Sequence, residues 1–481
     1  MISMRKILVN LAALSAALLA AVPLQVQAQT NGTSPASGAA RVIVKLRADS
    51  PLLPKALSGT AQKLSHAKAL GGRLGIAMDD GAAVSERAQV IFASGIMSAE
   101  LAQRLAREPD VEYAVPDERR HLLTAPNDPL YAAGVSGTGP AVGQWYLRAP
   151  SAPVTSSIDI EPAWNVTLGN PDVVVADLDT GVRFEHPDLL APAEGGKLLP
   201  GYNMISNVSV ANDGDGRDAD ASDPGDWITA AEANNHLGFF YGCTVLNPST
   251  GKYSAEDSSW HGTQVSGIIA AITNLRVLPV RVLGKCGGYD SDIIAGMRWA
   301  AGLPVPGVPA NPYPARVINM SLGAVGTCHA GYADTISEIT AVGTVIVASA
   351  GNSAGHALGT PANCSGVIAV AALRHAGTKV GFSDLGLDVA ISAPGGNCVN
   401  VTPGSPCLYP ILTTSDAGTT TPVGPIYTDS FKPSLGTSFA APLVSATAAL
   451  ILSVQPALTP LQVRQVLQAS ARDFPTTGGD N

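Results

Sequence analysis

The sequence contains few charged side chains, few aromatic side chains and no cysteine before residue 243. Charged residues make up 14% of the 481 positions and aromatic residues 5%, whereas hydrophobic residues reach 46%. A disordered chain needs a high charge and a low apolar content, so this composition excludes that class. Together with 50 Gly and 36 Pro it predicts a large, loop-rich globular core and argues against a fibrous chain.

Only one long hydrophobic run occurs, and it lies at the start of the chain. Arg5 and Lys6 precede the apolar stretch 7–22, and the small residues around Ala28 are typical of a signal-peptidase site. We therefore expect a signal peptide at 1–28. No later stretch reaches about 18 uninterrupted apolar residues, so we expect a secreted, soluble protein with no membrane partner after export.

The chain has no C-x-x-C pair, which makes a metal site built on cysteine a poor interpretation of its six cysteines. An even number of cysteines in an exported chain favours disulfides instead. Fifteen pairings are possible. Cys398–Cys407 closes a short loop and is the simplest choice, leaving Cys243–Cys286 and Cys328–Cys364 as the other expected pairs.

The charge is unevenly distributed between the two parts of the chain. Residues 1–124 carry 14 Lys and Arg against 10 Asp and Glu, whereas residues 125–481 carry 15 against 28, which together give the net charge of −9. An acidic body behind a mildly basic front segment does not indicate a nucleic-acid partner.

Apolar periodicity predicts two structural units. Residues 41–118 read as a small α+β unit in a βαββαβ-like order. After residue 125, continuous apolar runs predict buried parallel strands at 172–179, 276–283, 315–322, 343–350 and 366–373. Helical patterns fall at 262–272, 291–301, 333–341, 438–454 and 460–470. The predicted fold is α/β: a doubly wound, mostly parallel sheet with helices on both faces.

Three polar residues stand at the ends of predicted elements, where such folds place their sites. Asp179 ends the first strand, His261 begins a helix and Ser438 begins another. A nucleophilic serine needs a base, and the base needs a carboxylate that fixes its tautomer. Taken singly, the Asp could be a turn former, the His structural and the Ser an N-cap. Three such residues beside glycines in one sheet favour the catalytic interpretation.

Five segments carry a resemblance to a known family: "VVVADLDTGVRFEHPDL", "HGTQVSG", "INMSLG", "ASAGN" and "GTSFAAP". In type and order they resemble the signature blocks of the subtilisin-like serine proteases, the subtilases, over residues 140–472. The details look most like extracellular subtilases of Gram-negative bacteria. The resemblance implies that Asp179 orients the imidazole, His261 is the base and Ser438 the nucleophile. It also implies that Asn352 donates to the oxyanion.

The same resemblance implies where an extended polypeptide substrate pairs with the enzyme. The substrate-binding positions that it indicates are Ser321, Leu322, Gly323, Gly287, Gly288, Tyr289, Ala350 and Gly351. Residues 29–124 look like the propeptide, an intramolecular inhibitor and folding aid, and residues 125–481 like the peptidase domain. Self-cleavage is expected within 118–126.

An acidic stretch at 212–227 contains six aspartates among glycine turns. Clustered carboxylates suit Ca²⁺, which takes six to eight oxygen ligands in varied geometry. The expected ligands are Asp213, Asp215, Asp218, Asp220, Asp223 and Asp226, and no organic cofactor is expected. A solvated acidic loop is the alternative. Asp188 matches a position that holds structural calcium in many subtilases.

Two other functions compete with the peptidase. "GNSAG" at 351–355 fits the G-x-S-x-G pattern of α/β-hydrolases and would make Ser353 an esterase nucleophile, but Gly and Pro follow where that elbow needs a helix. A catalytically impaired, subtilase-shaped binding protein is the second. The connection 271–276 lacks the loop that relatives insert there, which leaves the Asp188 calcium site in doubt, and the chain ends before their last strand and helix. Asn274 is expected to end the preceding helix in the left-handed conformation.

Overall fold

The structure, a computed structural model, describes residues 40–53, 66–117, 128, 130–131, 143–398, 407–429 and 432–475. Contacts divide these residues into two compact units, a front unit at 40–117 and a main unit at 128–475. The predicted signal peptide, 1–28, and the predicted cleavage region, 118–126, lie outside the described residues.

The front unit is a four-stranded antiparallel sheet with two helices. Its elements are β1 Ala40–Leu46, α1 His66–Leu74, β2 Met78–Ser85, β3 Ala88–Ala93, α2 Ser98–Leu105 and β4 Val111–Pro116. The sheet order is β2-β3-β1-β4. Alternate residues of β1 point inward, and Val42 and Val44 pack in one core with Leu70 of α1 and Leu101 of α2. The βαββαβ order is the one that periodicity predicts.

The main unit is built on a seven-stranded sheet in the order β13-β12-β11-β10-β5-β9-β6. All neighbouring strands in it are parallel. The strands of this unit, including two small hairpins, are β5 Val174–Asp179, β6 Tyr202–Asn203, β7 Leu246–Asn247, β8 Lys252–Tyr253, β9 Arg276–Arg281, β10 Val317–Met320, β11 Val345–Ser349, β12 Val367–Leu373, β13 Val389–Pro394, β14 Thr414–Asp416 and β15 Pro425–Tyr427. The five predicted strands are therefore present, and β6 and β13 extend the sheet at its two edges.

Helices cover both faces of the sheet. They are α3 Glu161–Trp164, α4 Val208–Ala211, α5 Ala230–Ala233, α6 His261–Ile272, α7 Asp290–Ala300, α8 Ala330–Ala341, α9 Thr437–Val454 and α10 Pro460–Ser470, with 3-10 turns at Trp145–Leu147 and Pro192–Glu194. The helices α6 and α9 pack in one hydrophobic core, and α7 and α8 pack in the other. The doubly wound α/β fold is confirmed.

Among the described residues, α9 is long and apolar enough to cross a membrane by length and composition alone. It is 83% buried inside the fold, as a core helix is. Its length therefore reflects its place against the centre of the sheet.

The three disulfides join Cys243–Cys286, Cys328–Cys364 and Cys398–Cys407, so the expected pairing is confirmed. The direct connection from α6 to β9 is also present, but the expectation for Asn274 is wrong. Thr273 ends α6 in an extended conformation, with φ −140° and ψ 158°. The Asn274 amide then donates to the carbonyl of Leu168 at 2.6 Å. The neighbouring segment therefore accepts this amide, and no left-handed turn is needed.

Candidate active site

Asp179 is the last residue of β5, and the turn after it brings the strand against the start of α6. Gly181 has φ +100°, in the left-handed region that favours glycine. A Cβ atom on Gly262, the second residue of α6, would lie 2.2 Å from the Gly181 carbonyl oxygen. This approach is open only to glycine, and it sets the spacing between Asp179 and the histidine that begins α6.

His261 is positioned by the residue before it and by Asp179. Trp260 has the left-handed φ of +50°, is 2% exposed, and donates from its indole nitrogen to the Gly418 carbonyl at 2.6 Å. The Nδ1 atom of His261 lies 2.8 and 2.9 Å from the two carboxylate oxygens of Asp179. This contact indicates the tautomer with a proton on Nδ1, which leaves Nε2 as the proton acceptor.

Two opposing effects act on the pKa of His261. Burial of the ring lowers the pKa, while the charge of Asp179 and its hydrogen bond raise it, and the net result is a pKa above the usual histidine value. The Asp179 side chain is 2% exposed and that of His261 is 23% exposed. Their interaction is therefore poorly screened by solvent, and the imidazolium form is stabilised.

Ser438 is the second residue of α9, directly after Gly436 and Thr437. Its hydroxyl donates to the Ser321 carbonyl at 3.2 Å, and the Ser321 hydroxyl donates to the Ser438 carbonyl at 2.7 Å. Although both side chains are described, the structure records no hydrogen bond between Ser438 Oγ and His261. Such bonds are often long in a free enzyme, and a rotation about the Ser438 side chain would redirect its hydroxyl.

Asn352 follows β11 and contacts the first residue of α9. Its Oδ1 atom accepts hydrogen bonds from the Thr437 amide at 2.9 Å and the Thr437 hydroxyl at 3.0 Å. These two bonds fix the orientation of the side-chain amide. Its Nδ2 group has no protein acceptor among the described residues and lies at the start of the helix that carries Ser438.

Two pockets border these residues and share the segment 321–324. One, of about 440 Å³, is lined by His261 and by Gly287 and Gly288 after β9. The other, of about 460 Å³, is lined by Ser438 and Asn352. Of the predicted substrate-binding residues, these pockets bring together Ser321, Leu322, Gly323, Gly287, Gly288, Ala350 and Gly351. Tyr289 lines neither pocket and is 49% exposed.

Several aspartates of the acidic stretch have separate protein partners. Asp213 pairs with Arg281 at 2.6 Å. Asp226 accepts from the amide and the hydroxyl of Ser259 at 2.7 and 2.8 Å. Asp223 is 1% exposed and accepts from the Thr180 hydroxyl at 2.7 Å.

In turns of the same loop, the Asp218 and Asp220 carboxylates accept from the amides of Asp220 and Ser222, whereas Asp215 donates its backbone amide to Asp213. Across the part of the chain that the structure describes, no group of three or more His, Cys, Asp or Glu side chains could hold a metal. The calcium site expected in this stretch stays a prediction. At the other suggested position, Asp188 is hydrogen-bonded to the Tyr427 hydroxyl; burial and this bond raise the pKa of Tyr427.

Asp223 makes a contact beside the site that sequence reasoning did not find. The Thr180 hydroxyl that donates to it accepts in turn from the Gly262 amide at 3.0 Å, so Asp223 supports the junction between β5 and α6. Burial, with the charge of Asp226, raises the pKa of Asp223 to about 7. Because Asp223 is far from Thr180 in sequence, no sequence pattern could have predicted this contact.

The G-x-S-x-G segment does not have the geometry of a nucleophile elbow. The chain continues from Ser353 through bends to the strand β12, and no helix follows the serine. The Ser353 amide donates to the Asp384 carboxylate at 2.9 Å, as in an ordinary loop. The esterase interpretation is therefore not supported.

Comparison with known proteins finds a matching family and several related proteases. The sequence profile described as the Subtilase family matches residues 170–481. The chain is 39% identical over 388 residues to an extracellular protease of Xanthomonas campestris pv. campestris, covering 78% of this chain and 58% of the relative. It is 36% identical over 386 residues to an extracellular basic protease of Dichelobacter nodosus, covering 77% and 56%. The chain thus spans little more than half the length of these relatives.

A solved structure also matches. A protease from Pseudoalteromonas arctica PAMC 21717 is 39% identical, with a TM-score of 0.58, over 69% of this chain and 91% of the other. The family profile, which matches residues 170–481, includes the parallel sheet and the elements that carry Asp179, His261 and Ser438.

Proposed function

The chain belongs to the subtilase family, and from that premise we propose that it is a secreted serine endopeptidase that cleaves polypeptides through an acyl-enzyme. The observation that carries this proposal is the Asp179–His261 contact at 2.8 and 2.9 Å, placed beside a pocket that shares the segment 321–324 with the pocket lined by Ser438. The extracellular names of the two relatives support secretion.

The reaction assigns one task to each residue of the triad. His261 Nε2 takes the proton of the Ser438 hydroxyl while Oγ attacks the carbonyl carbon of the scissile bond. Asp179 keeps the proton on Nδ1 and stabilises the imidazolium that forms. That imidazolium then protonates the leaving amine, and water hydrolyses the acyl-enzyme with His261 again acting as base.

The oxyanion of the tetrahedral intermediate needs donors that are already oriented. The side-chain amide of Asn352 and the backbone amide of Ser438 are assigned this role. The hydrogen bonds from Thr437 to Asn352 Oδ1 support the assignment, because they leave the Nδ2 donor for a ligand. No metal ion is needed for any of these steps.

The segment 321–324 is assigned to pair with the substrate backbone. It lines both pockets, so an extended peptide that follows it would place side chains on either side of the scissile bond. Gly287 and Gly288 form the opposite edge of the first pocket. A Cβ atom on Gly288 would lie 2.2 Å from the Val282 carbonyl, so only glycine allows this edge to pack so closely against the segment after β9.

We further propose that residues 1–28 are a signal peptide, that 29–124 are a propeptide and that 125–481 hold the peptidase domain. The front unit would inhibit the enzyme until cleavage within 118–126. Its own hydrophobic core and its separate four-stranded sheet support an independent folding unit. The polypeptide substrates and the propeptide are the partners that follow from this function.

Intact mass of the secreted protein, with and without a fluorophosphonate probe, tests the proposal. Wild-type protein is expected to lose its first ~120 residues, as a propeptide of this size predicts, and to gain one phosphonyl group on Ser438. The variant Ser438→Ala should stay a precursor and remain unlabelled, whereas the control Ser353→Ala should behave as wild type. Maturation of Ser438→Ala without added protease would overturn the assignment of the nucleophile. A folded wild type that neither matures nor reacts would favour the impaired binding protein.

A further inference from the structure

A second carboxyl group is buried behind the triad, on the strand that carries Asp179. Asp177 lies two residues before Asp179 in β5 and is 2% exposed. The Ser266 hydroxyl of α6 donates to its Oδ2 atom at 2.7 Å, and the Asn319 amide of β10 donates to its Oδ1 atom at 3.0 Å. A carboxyl group buried in a sheet strand is costly unless such partners are provided.

The hydrogen bonds continue from Asn319 to the helix that carries Ser438. The Ser445 hydroxyl of α9 donates to Asn319 Oδ1 at 2.8 Å, and Asn319 Nδ2 also donates to the Ser321 hydroxyl at 3.0 Å. That hydroxyl donates to the Ser438 carbonyl at 2.7 Å. The network thus contacts both active-site helices and the backbone of the nucleophile.

All of these groups are nearly inaccessible to solvent. Ser266, Asn319 and Ser445 are 0% exposed, and Ser321 is 4% exposed. A buried polar network that satisfies all its members fixes one arrangement of the elements, because any shift leaves a buried donor or acceptor without a partner. Apolar side chains of similar size would fill the same space without fixing it.

We propose that Asp177 is a positioning residue for peptide hydrolysis, which holds α6 through Ser266 and α9 through Asn319 and so fixes the distance between His261 and Ser438. The inference rests on the proposed function. Asp177 touches neither pocket, so it acts through the residues that it orients and not on the substrate.

The charge of Asp177 adds a testable consequence. The elements packed against it contribute Ser266, Asn319 and the strand neighbour Pro279, none of which titrates. The ionisable groups that act on it are Asp179, in its own strand, and His261. Burial, with the charge of Asp179, raises the pKa of Asp177 to about 8.

Ionised Asp177 stabilises a positive charge on His261, which develops only as Ser438 is deprotonated. Deprotonation of Asp177 therefore favours the transition state over the ground state. We expect kcat/KM to rise first as His261 loses its proton and then again, by about two- to tenfold, near pH 8.

The test compares variants of the full chain, matured and assayed with one fluorogenic peptide that the wild type cleaves. Asp177→Asn keeps the shape and is expected to retain kcat within about threefold at neutral pH but to lose the second rise. Asp177→Leu removes both acceptors and should lower kcat about 10- to 100-fold with KM within about twofold, the pattern of misplaced catalytic groups. If Asp177→Asn retains the kcat that Asp177→Leu loses, Asp177 acts by polar positioning and not by packing.

A matched pair on α9 provides the control. Ser445→Ala removes the bond to Asn319 and should lower kcat. Thr447→Val removes an equally buried hydroxyl that donates only to the Leu443 carbonyl of its own helix, and should leave kcat unchanged.

Two results would overturn the role of Asp177: an Asp177→Leu enzyme with wild-type kcat, or an Asp177→Asn enzyme that keeps the second rise. Failure of Asp177→Leu to fold leaves the pH profile of Asp177→Asn as the deciding measurement. The wild type is labelled by the fluorophosphonate only if the proposed function is right. When it is labelled, either of these two results concerns Asp177 alone.

Discussion

Lys197 is expected to stabilise the C-terminal end of α6, and the substitution Lys197→Met removes that contribution with a side chain of similar length. Its Nζ atom donates to the carbonyl oxygens of Ala270 at 2.5 Å and Thr273 at 2.6 Å. Carbonyl groups in the last turn of a helix lack amide partners and favour a positive charge. Lys197 satisfies two such groups at once.

The magnitude follows from two opposing effects. Hydrogen bonds from a charged donor contribute about 1.5–3 kcal/mol each. Burial of Lys197 lowers its pKa from 10.5 to about 8, which corresponds to about 3 kcal/mol against the charged form. We therefore expect Lys197→Met to reduce the free energy of unfolding by only about 1–2 kcal/mol at neutral pH. That loss lowers the melting temperature by about 2–6 °C.

The sign of the pH dependence provides the sharper measurement. The pKa of Lys197 is lower in the folded protein than in the unfolded chain, so between about pH 8 and 10.5 the unfolded chain binds more protons. The contribution of Lys197 to stability must then rise with pH across this window. The difference in melting temperature between wild type and Lys197→Met should widen accordingly.

Thermal unfolding at a fixed scan rate measures this difference, with both proteins carrying Ser438→Ala so that self-digestion does not interfere. Lys379→Met is the matched control, because Lys379 donates to the carbonyls of Val380 and Gly381 at 3.0 and 3.2 Å. It retains Lys197 and should therefore keep the wild-type pH response. A difference for Lys197→Met that narrows toward about pH 10 would refute the reasoning, since the carbonyls would then hold the ammonium more strongly than burial opposes it.

Three further predictions concern the site. Asn352→Ala should lower kcat by about 10²–10³ with little change in KM. Thr437→Val keeps the backbone donor to Asn352 and should lower kcat far less. Steady-state kinetics on the matured enzyme measures both effects. Gly262→Ala places a methyl group 2.2 Å from the Gly181 carbonyl and should separate His261 from Asp179, with a loss of about 100-fold or more in kcat; wild-type activity there would contradict the close approach. EDTA should change the melting temperatures of wild type and Asp220→Asn equally, because the Asp220 carboxylate caps a turn. A larger EDTA effect on the wild type would instead support a calcium site in the acidic stretch.

The central strands were predictable because they are buried on both faces and therefore read as continuous apolar runs. The observed strands begin and end within about two residues of the predicted ones, as expected for apolar runs that continue into the flanking turns. The strand β13 was missed because it contains a polar residue, Ser392, which is nonetheless 5% exposed. A polar side chain in a buried strand interrupts the pattern even where the fold satisfies it.

The same limit explains what was missed at the site. The positions of Asp179, His261 and Ser438 at element ends could be inferred, because each is the polar residue beside a glycine turn. Asp177 lies inside an apolar run, and its partners come from α6 and β10, far away in sequence. The loop that contains Asp223 is distant from β5 in sequence but contacts the end of this strand in the fold. From composition alone, Asp223 was therefore predicted to be a metal ligand.

The short connection after α6 lies at the C-terminal end of this helix, which takes no part in the chemistry. The helix spans 12 residues, so its C-terminus lies about 17 Å from His261 at 1.5 Å per residue. At that end, Lys197 of a neighbouring segment donates hydrogen bonds to the carbonyl groups of Ala270 and Thr273. At the other end, the contacts of Asp179 and Trp260 with the start of α6 are independent of the connection. Substitutions at the connection should therefore change the lifetime of the enzyme more than its rate.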